Sequence, residues 1–307
     1  MDLRLAAVLV LGGWTCADAA GPPDPLTRPL RCEQCEKWNE PAAPFRIYGN
    51  SYYVGVRGLS SVLVASSQGL VLLDADLPQS APLIEANVRA LGFRVQDIRL
   101  ILNSHTHFDH AGGIAALQRD SGAQVAASPR GAEALRLGHP VADDPQAGFA
   151  ENGFPALNAP VRTVRDGEVL KLGEVEITAY LTPGHTPGST TWTWRSCEDN
   201  RCLDLVYADS LNSISAPGFR YTGDVDHPDV SQRFRASIDA VAALPCDILI
   251  TVHPGLGHLW EKLEARRKGV KPDPFIAPEA CRAYADGMRT MLDARLAAER
   301  AEPAPAR

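Results

Sequence analysis

Within six positions, His105-Thr106-His107-Phe108-Asp109-His110, the chain sets four side chains able to bind a metal. The run follows the apolar stretch Ile98 to Leu102, which predicts a buried strand, and the polar burst after it predicts the loop at that strand's end. In an extended loop alternate side chains share a face, so His105 and His107 can close on one ion. Asp109 and His110 are then directed to a neighbouring position. Imidazole suits zinc or iron, and a carboxylate oxygen is a normal further ligand. A merely solvated polar loop gives no reason for three imidazoles at this spacing.

Two more strand ends offer imidazole. Thr182-Pro183-Gly184-His185-Thr186-Pro187-Gly188-Ser189 places His185 at the tip of a turn stiffened by Pro-Gly breaks, between the alternating stretches Val175–Leu181 and Thr190–Trp194. Ile248 to Val252 is an apolar strand ending in His253-Pro254-Gly255. Metal ligands on loops at one edge of a rigid sheet are a common way to build a site. His139, His227 and His258 sit in Gly- or Pro-containing loops and read as surface or supporting residues. Six ligands give two sites with open positions, which catalytic zinc needs.

The His-x-His-x-Asp-His run with two later histidines resembles the signature of the metallo-β-lactamase superfamily. That resemblance implies an α/β fold, a four-layer αβ/βα sandwich with one or two metals between the inner edges of two sheets. It implies a first zinc site of His105, His107 and His185, and a second of Asp109, His110 and His253. The motif says less about substrate. Thioesterases of the glyoxalase II type, lactonases, nucleases and flavodiiron proteins share versions of it.

The elements that must position these residues are partly legible. Tyr52–Val56, Ser61–Val64 and Gly69–Asp74 read as strands, and Ser80–Leu91 has helical spacing of Leu83, Ile84, Val88 and Leu91. A helix from about His110 to Arg119 follows the metal run, with Gly112 and Gly113 allowing close backbone approach near the metals. A strand over 123–127 and a helix over 131–137 come next. Residues 138–160 hold four prolines and no clear period, so this stretch is expected to cover or gate a site, with Phe149 and Phe154 either touching substrate or tucking the loop onto the core. Strands at 168–172, 174–181, 190–194, 203–208 and 247–252, and helices at about 230–243 and 278–298, complete a pattern that fits a four-layer α/β sandwich.

At 307 residues the chain holds one large domain or two ordinary ones, and no linker or repeat divides it, so 20–307 reads as a single domain with 20–44 as a Pro-rich N-terminal arm across the surface. A net charge of −7 argues against a nucleic-acid partner, whose phosphates need a basic footprint. No stretch after residue 20 has the apolar length of a membrane span. Residues 1–19 read as an export signal, with Arg4, the apolar stretch Leu5–Leu11 and small residues ending in Ala17-Asp18-Ala19, which implies a periplasmic protein. A lipoprotein reading through Cys16 is weakened by the bulk of Thr15.

Removing Cys16 leaves six cysteines, an even number in a disulfide-permissive compartment. Cys197 and Cys202 bracket a polar turn between two strand-like runs and read as a hairpin staple. Cys246 precedes an inner strand and Cys281 opens the final helix, suggesting a bridge that docks that helix. Cys32 and Cys35 remain, either as a local pair or as a redox or metal-binding Cys-x-x-Cys. A closed loop of some tens of residues gains about 3–4 kcal/mol in the chain-entropy account.

From Trp38 to the final helix the chain resembles the subclass B3 metallo-β-lactamases. The carrying segments are Pro41–Phe45, Thr182–Thr190 running into Trp192-Thr193-Trp194, Tyr207-Ala208-Asp209-Ser210-Leu211, Leu244–Asp247 and Cys281–Asp286. The resemblance implies a small-molecule substrate and a monomeric enzyme that hydrolyses penicillins, cephalosporins and carbapenems with two zinc ions. Asp109 would be the catalytic side chain, binding zinc and orienting a zinc-bound hydroxide. Ser210 and Asn212 would hydrogen-bond the substrate carboxylate, although a hydroxyl residue is usual where Asn212 stands. Phe219 occupies a place where several relatives carry a tyrosine, and Phe cannot donate a hydrogen bond. Ser189 and Ser210 lack a base of their own, so a serine nucleophile is disfavoured. The main rival is a lactonase or thioesterase in which Asp209 bridges the metals.

Overall fold

Leu70-Val71-Leu72-Leu73 has no polar face, and the structure buries it on both sides. Val71 and Leu73 enter one core while Leu70 and Leu72 enter another. A strand covered on both faces needs continuous apolar sequence rather than alternation. The computed structural model describes residues 24–225 and 227–301. The export signal read over residues 1–19, with Cys16 in it, lies outside the described residues.

Among these residues the strands form two sheets. The first orders β1 (Phe45–Tyr48), β2 (Ser51–Tyr53), β3 (Val62–Ser66), β4 (Gly69–Leu73), β5 (Ile98–Leu102), β6 (Gln124–Ala127) and β7 (Val161–Thr163) side by side. Its first four strands are antiparallel, and β4 to β7 are parallel. The second is an antiparallel run of β8 (Val169–Leu172), β9 (Val175–Leu181), β10 (Thr190–Glu198) and β11 (Arg201–Ala208), with β12 (Ile248–Thr251) parallel to β11 at its edge. The helices are α1 (Cys35–Trp38), α2 (Ala81–Ala90), α3 (Phe108–Ala111), α4 (Ile114–Ser121), α5 (Pro129–Leu137), α6 (Ser231–Ala242), α7 (Leu259–Arg267) and α8 (Ala280–Ala301).

Three cores separate four layers. Between the sheets, Val71, Leu73, Leu102, Trp192, Leu205 and Ile250 interlock. Ile84 and Val88 of α2 and Leu117 of α4 pack on Leu72 and Ile101 of the first sheet. Phe234 and Ile238 of α6 and Tyr284 and Leu292 of α8 pack on Val206 and Leu249 of the second. Each large apolar side chain so buried contributes about 1.5–3 kcal/mol. This is the αβ/βα sandwich expected.

Local differences have local causes. The helix expected over 110–119 is two helices, α3 and α4, broken at Gly112-Gly113. A Cβ on Gly113 would sit 2.3 Å from the Ala75 carbonyl oxygen, and one on Gly112 would sit 2.4 Å from Pro78 Cδ. The glycines thus admit the chain between β4 and α2, whereas the sequence pointed them at the metals. The strand expected over 52–56 stops at Tyr53, because the Val54 and Gly55 amides both turn to the Ser61 carbonyl. The β10–β11 hairpin is longer than expected, running to Glu198 and from Arg201. Strands β1 and β7 and helix α7 carried too little periodic signal to be read; α7 buries just Leu259 and Leu263. Phe154 is buried among the residues packed under α5, so it tucks the 138–160 loop onto the core rather than facing a substrate.

Disulfides join Cys32 to Cys35, Cys197 to Cys202 and Cys246 to Cys281. The second links directly paired positions of β10 and β11, and the third ties the approach to β12 to the first turn of α8. Within the described part of the arm, residues 24–44, α1 delivers Trp38 to within 5.4 Å of the His253 ring.

Candidate metal centre

Strand ends from both sheets meet at one edge. The Ser104 carbonyl after β5 accepts from the Thr190 amide at the start of β10, and the Asn103 carbonyl accepts from Trp192 Nε1. The Ser60 amide donates to the Val252 carbonyl after β12. These cross-sheet bonds bring the loop after β5, the β9–β10 turn and the end of β12 together. Within that turn, Ser189 Oγ accepts from the Thr186 amide, and Gly184 packs so tightly that a Cβ would lie 2.0 Å from the buried Phe234 ring. Thus Ser189 shapes the turn that holds His185 and is no nucleophile.

His105, His107 and His185 converge, with ligand atoms all within 4.8 Å of one another and ring centroids 4.8–4.9 Å apart. Asp109 and His110 also converge with His105. Beside them, Asp109 Oδ2, His110 Nε2 and His253 Nε2 form a near-equilateral triangle with sides of 3.3, 3.2 and 3.5 Å. Ligands held tetrahedrally at zinc's usual bond lengths lie about 3.3–3.4 Å apart, so this triangle fits zinc.

Backing interactions decide which ring nitrogen faces inward. His105 Nδ1 lies 2.6 Å from Asp209 Oδ1, and its buried Nε2 has no hydrogen-bond partner. His185 Nδ1 is 3.0 Å from the Asn212 carbonyl, and His253 Nδ1 is 3.4 Å from that of Gly58. His110 Nδ1 has no hydrogen-bond partner, and Asp74 Oδ2 lies 3.9 Å from it. His107 Nε2 lies 3.1 Å from Asp144 Oδ1. A partner on one ring nitrogen fixes the tautomer and aims the other at a metal.

Electrostatics favour a cation here. Burial, then the neighbouring imidazoles, hold His105 well below its ordinary value; burial and His107 bring His185 to about 3, and burial and His110 bring His253 to about 4. These rings stay neutral, with a lone pair to offer. Burial works to lower His110 too, but the carboxylates of Asp109, Asp74 and Asp209 outweigh it and lift it to about 9. Burial likewise works to raise Asp109, yet His110, His253 and His107 hold it below the usual carboxylate range. The cluster therefore pairs an anionic ligand with a proton that an incoming metal would displace.

Asp209 separates a lactamase from a lactonase or thioesterase by where its carboxylate lies. It is fully buried behind His105, pushed up to about 7 by that burial, and belongs to neither converging set of ligand atoms. Ser210 is fully buried as well, and its Oγ meets no partner. Asn212 does line a groove of about 550 Å³ beside His253, whose other walls include Trp38, Arg57, Ile214, Leu256 and Trp260. Its Oδ1 accepts from the Ile214 amide at 3.3 Å. Phe219 packs on Tyr221 and His227 and lines a separate cavity behind the His185 turn. Phe149 is partly exposed and borders neither.

His139 bonds the Pro140 carbonyl, His227 pairs with Asp224, and His258 opens α7 in a left-handed conformation, so none joins the cluster. Sequence reasoning missed Asp74, Asp144 and the groove residues Trp38, Arg57 and Trp260. None stands in a motif: Asp144 follows another aspartate in an aperiodic loop, and Trp260 lies in a helix whose apolar pattern is weak.

The model of the family described as the metallo-beta-lactamase superfamily matches residues 54–253. Among solved structures, the chain is 51% identical to Rm3 metallo-beta-lactamase, with a TM-score of 0.85 over 88% of this chain and 100% of that one. It is 50% identical to MEM-A1, a subclass B3 metallo-beta-lactamase isolated from a soil metagenome library, with a TM-score of 0.83 over 87% of this chain and 100% of that one. Among curated relatives, a hydroxyacylglutathione hydrolase of Anaeromyxobacter dehalogenans is 29% identical over 260 residues, which is 83% of this chain and 82% of that protein. The match to another such hydrolase, of Methylobacterium nodulans, spans 36% of that protein's length. The chain belongs to the metallo-β-lactamase superfamily, and within it to subclass B3.

Proposed function

We propose that the protein is a dinuclear zinc hydrolase that opens the β-lactam ring, with His105, His107 and His185 holding one ion and Asp109, His110 and His253 the other. The position of Asp209 carries the choice of substrate class. A lactonase or thioesterase reading needs that carboxylate between the metals, and here its Oδ1 lies at the outer nitrogen of His105. Bound zinc supplies an acidified water at neutral pH and Lewis-acid polarisation of a carbonyl.

The chain's own residues orient that chemistry. Asp209 and the carbonyls of Asn212 and Gly58 aim three imidazoles inward, and Asp74 places a buried carboxylate 3.9 Å from the outer nitrogen of His110. Asp109 faces both His110 and His253 and is the side chain assigned to orient the attacking water. The groove beside His253 receives the substrate, with Trp38, Leu256 and Trp260 as apolar walls and Asn212 as the polar contact for its carboxylate. Export to the periplasm belongs to the same reading, supported by the apolar leader Leu5–Leu11 and by paired cysteines suited to an oxidising compartment.

The test is the zinc-loaded protein assayed with a penicillin, a cephalosporin, a carbapenem, an acyl-homoserine lactone and a hydroxyacyl-glutathione thioester, with and without a chelator. Chelator-sensitive lactam opening is expected. Turnover of the lactone or thioester without any lactam would overturn the reading.

A further inference from the structure

Asp144 differs from the other backing groups in where it comes from. Asp209, Asp74, Asn212 and Gly58 lie on or just beyond the strands, but Asp144 belongs to the long segment between α5 and β7. Its side chain is 1% exposed, Oδ1 lies 3.1 Å from His107 Nε2, and Oδ2 is buried with no hydrogen-bond partner. A buried carboxylate is costly unless a hydrogen-bonded partner compensates it. Among the described contacts its side chain has two: His107, and the Gln146 amide, which donates to the same Oδ1 at 2.8 Å.

The same residue holds its own segment together. The Asp144 amide donates to Val141, and the Ala147 amide donates to the Asp144 carbonyl. Asn152 Nδ2 then reaches the carbonyls of Gln146 and Ala147, and the Ala216 amide reaches that of Pro145. One carboxylate oxygen therefore touches both the imidazole and the turn that shapes the segment.

We infer that Asp144 is a positioning residue that accepts the Nε2 proton of His107, presents His107 Nδ1 to the ion of the three-histidine site, and couples that ion to the order of the 138–160 loop. The inference rests on the ligand assignment proposed above. If His107 used Nε2 for the metal, Asp144 would keep only the Gln146 amide as a donor; with Nδ1 inward, Oδ1 holds both of its donors and the His107 Nε2 proton has an acceptor. Because the segment and the ion share one side chain, ordering either one favours the other.

The experiment measures stepwise zinc affinity by chelator competition in the full chain and in Asp144→Ala and Asp144→Asn. Hydrogen exchange of the 144–149 amides is followed with and without zinc. Wild type is expected to take up two ions. Asp144→Ala should weaken one of them about 10–100-fold, the usual loss when a ligand's supporting partner is removed, and leave the other unchanged. Asp144→Asn keeps an acceptor oxygen without the charge, so an intermediate loss is expected. Zinc should slow exchange at Gln146 and Ala147 in wild type and less so in Asp144→Ala. Wild-type affinities in either variant, or equal losses in both with the same drop in melting temperature, would overturn the inference; if the alanine variant does not fold, the asparagine variant alone decides. Failure of wild type to bind zinc would instead overturn the ligand assignment.

Discussion

At the scale of single residues, the cluster separates groups that touch a metal from groups that aim them. His253 sits at one corner of a triangle with Asp109 and His110, while Asp209 lies behind His105. His253→Ala is therefore expected to reduce occupancy from two zincs to one, read by native mass spectrometry, with the circular dichroism spectrum unchanged. Asp209→Asn is expected to keep both ions and lose about 10–100-fold in affinity or activity, because an amide can still accept the His105 N–H but no longer carries charge. Loss of an ion in Asp209→Asn would return Asp209 to the ligand set and favour the lactonase or thioesterase reading. The histidine mutant would speak against the two-site partition if it still bound two zincs.

At the scale of elements, the loops matter because something rigid holds each one. Helix α8 clamps the 215–222 segment: Glu299 accepts from the Tyr221 amide, the Thr222 amide and the Thr222 hydroxyl, and Arg295 reaches Ser215 Oγ and the Phe219 carbonyl. The preceding residues of the same loop include Asn212 and Ile214 of the groove. Burial works to raise Glu299, but Arg295 and these donors outweigh it and hold the carboxyl below its ordinary 4.5. Glu299→Gln sets an amide nitrogen against a donor and is expected to cost about 1.5–3 kcal/mol in denaturant unfolding at neutral pH. Since the folded-state value is depressed, the wild-type advantage is fully present above the ordinary carboxyl range and is lost as pH falls through the lowered value. The gap between the two proteins should narrow on acidification; a gap that widened would contradict this account.

At the scale of the whole molecule, three apolar cores stand between four layers, and none includes the metal cluster. The fold is thus expected to survive without metal. A chelator should abolish activity while leaving the far-ultraviolet dichroism intact. Zinc binds the native state and should raise the melting temperature, with about 2.7 kcal/mol gained per site at a free concentration a hundredfold above its dissociation constant. A chelated protein that lost its secondary structure would show instead that the ions are part of the core.

What the sequence by itself determined is local and chemical. His105, His107, Asp109 and His110 lie close in the chain, so their spacing alone announces a ligand set, and the apolar runs of β4, β5 and β12 announce strands. His185 and His253 could be joined to them because each ends a recognisable strand, and the family resemblance supplied the sandwich that aligns those ends. The tertiary structure decided everything that depends on approach between distant segments. Asp209 reads the same in sequence whether it bridges two metals or backs His105; the choice lies in a distance across 104 positions. Ser210 carries a polar hydroxyl in either case, and only the fold makes it fully buried with an Oγ that meets no partner. Asp144 and Trp38 carry no periodic or motif signal, since one sits in an aperiodic loop and the other in a single turn of helix. Their roles arise when folding brings the loop after α5 against His107 and the arm against His253, contacts that only chain packing can create.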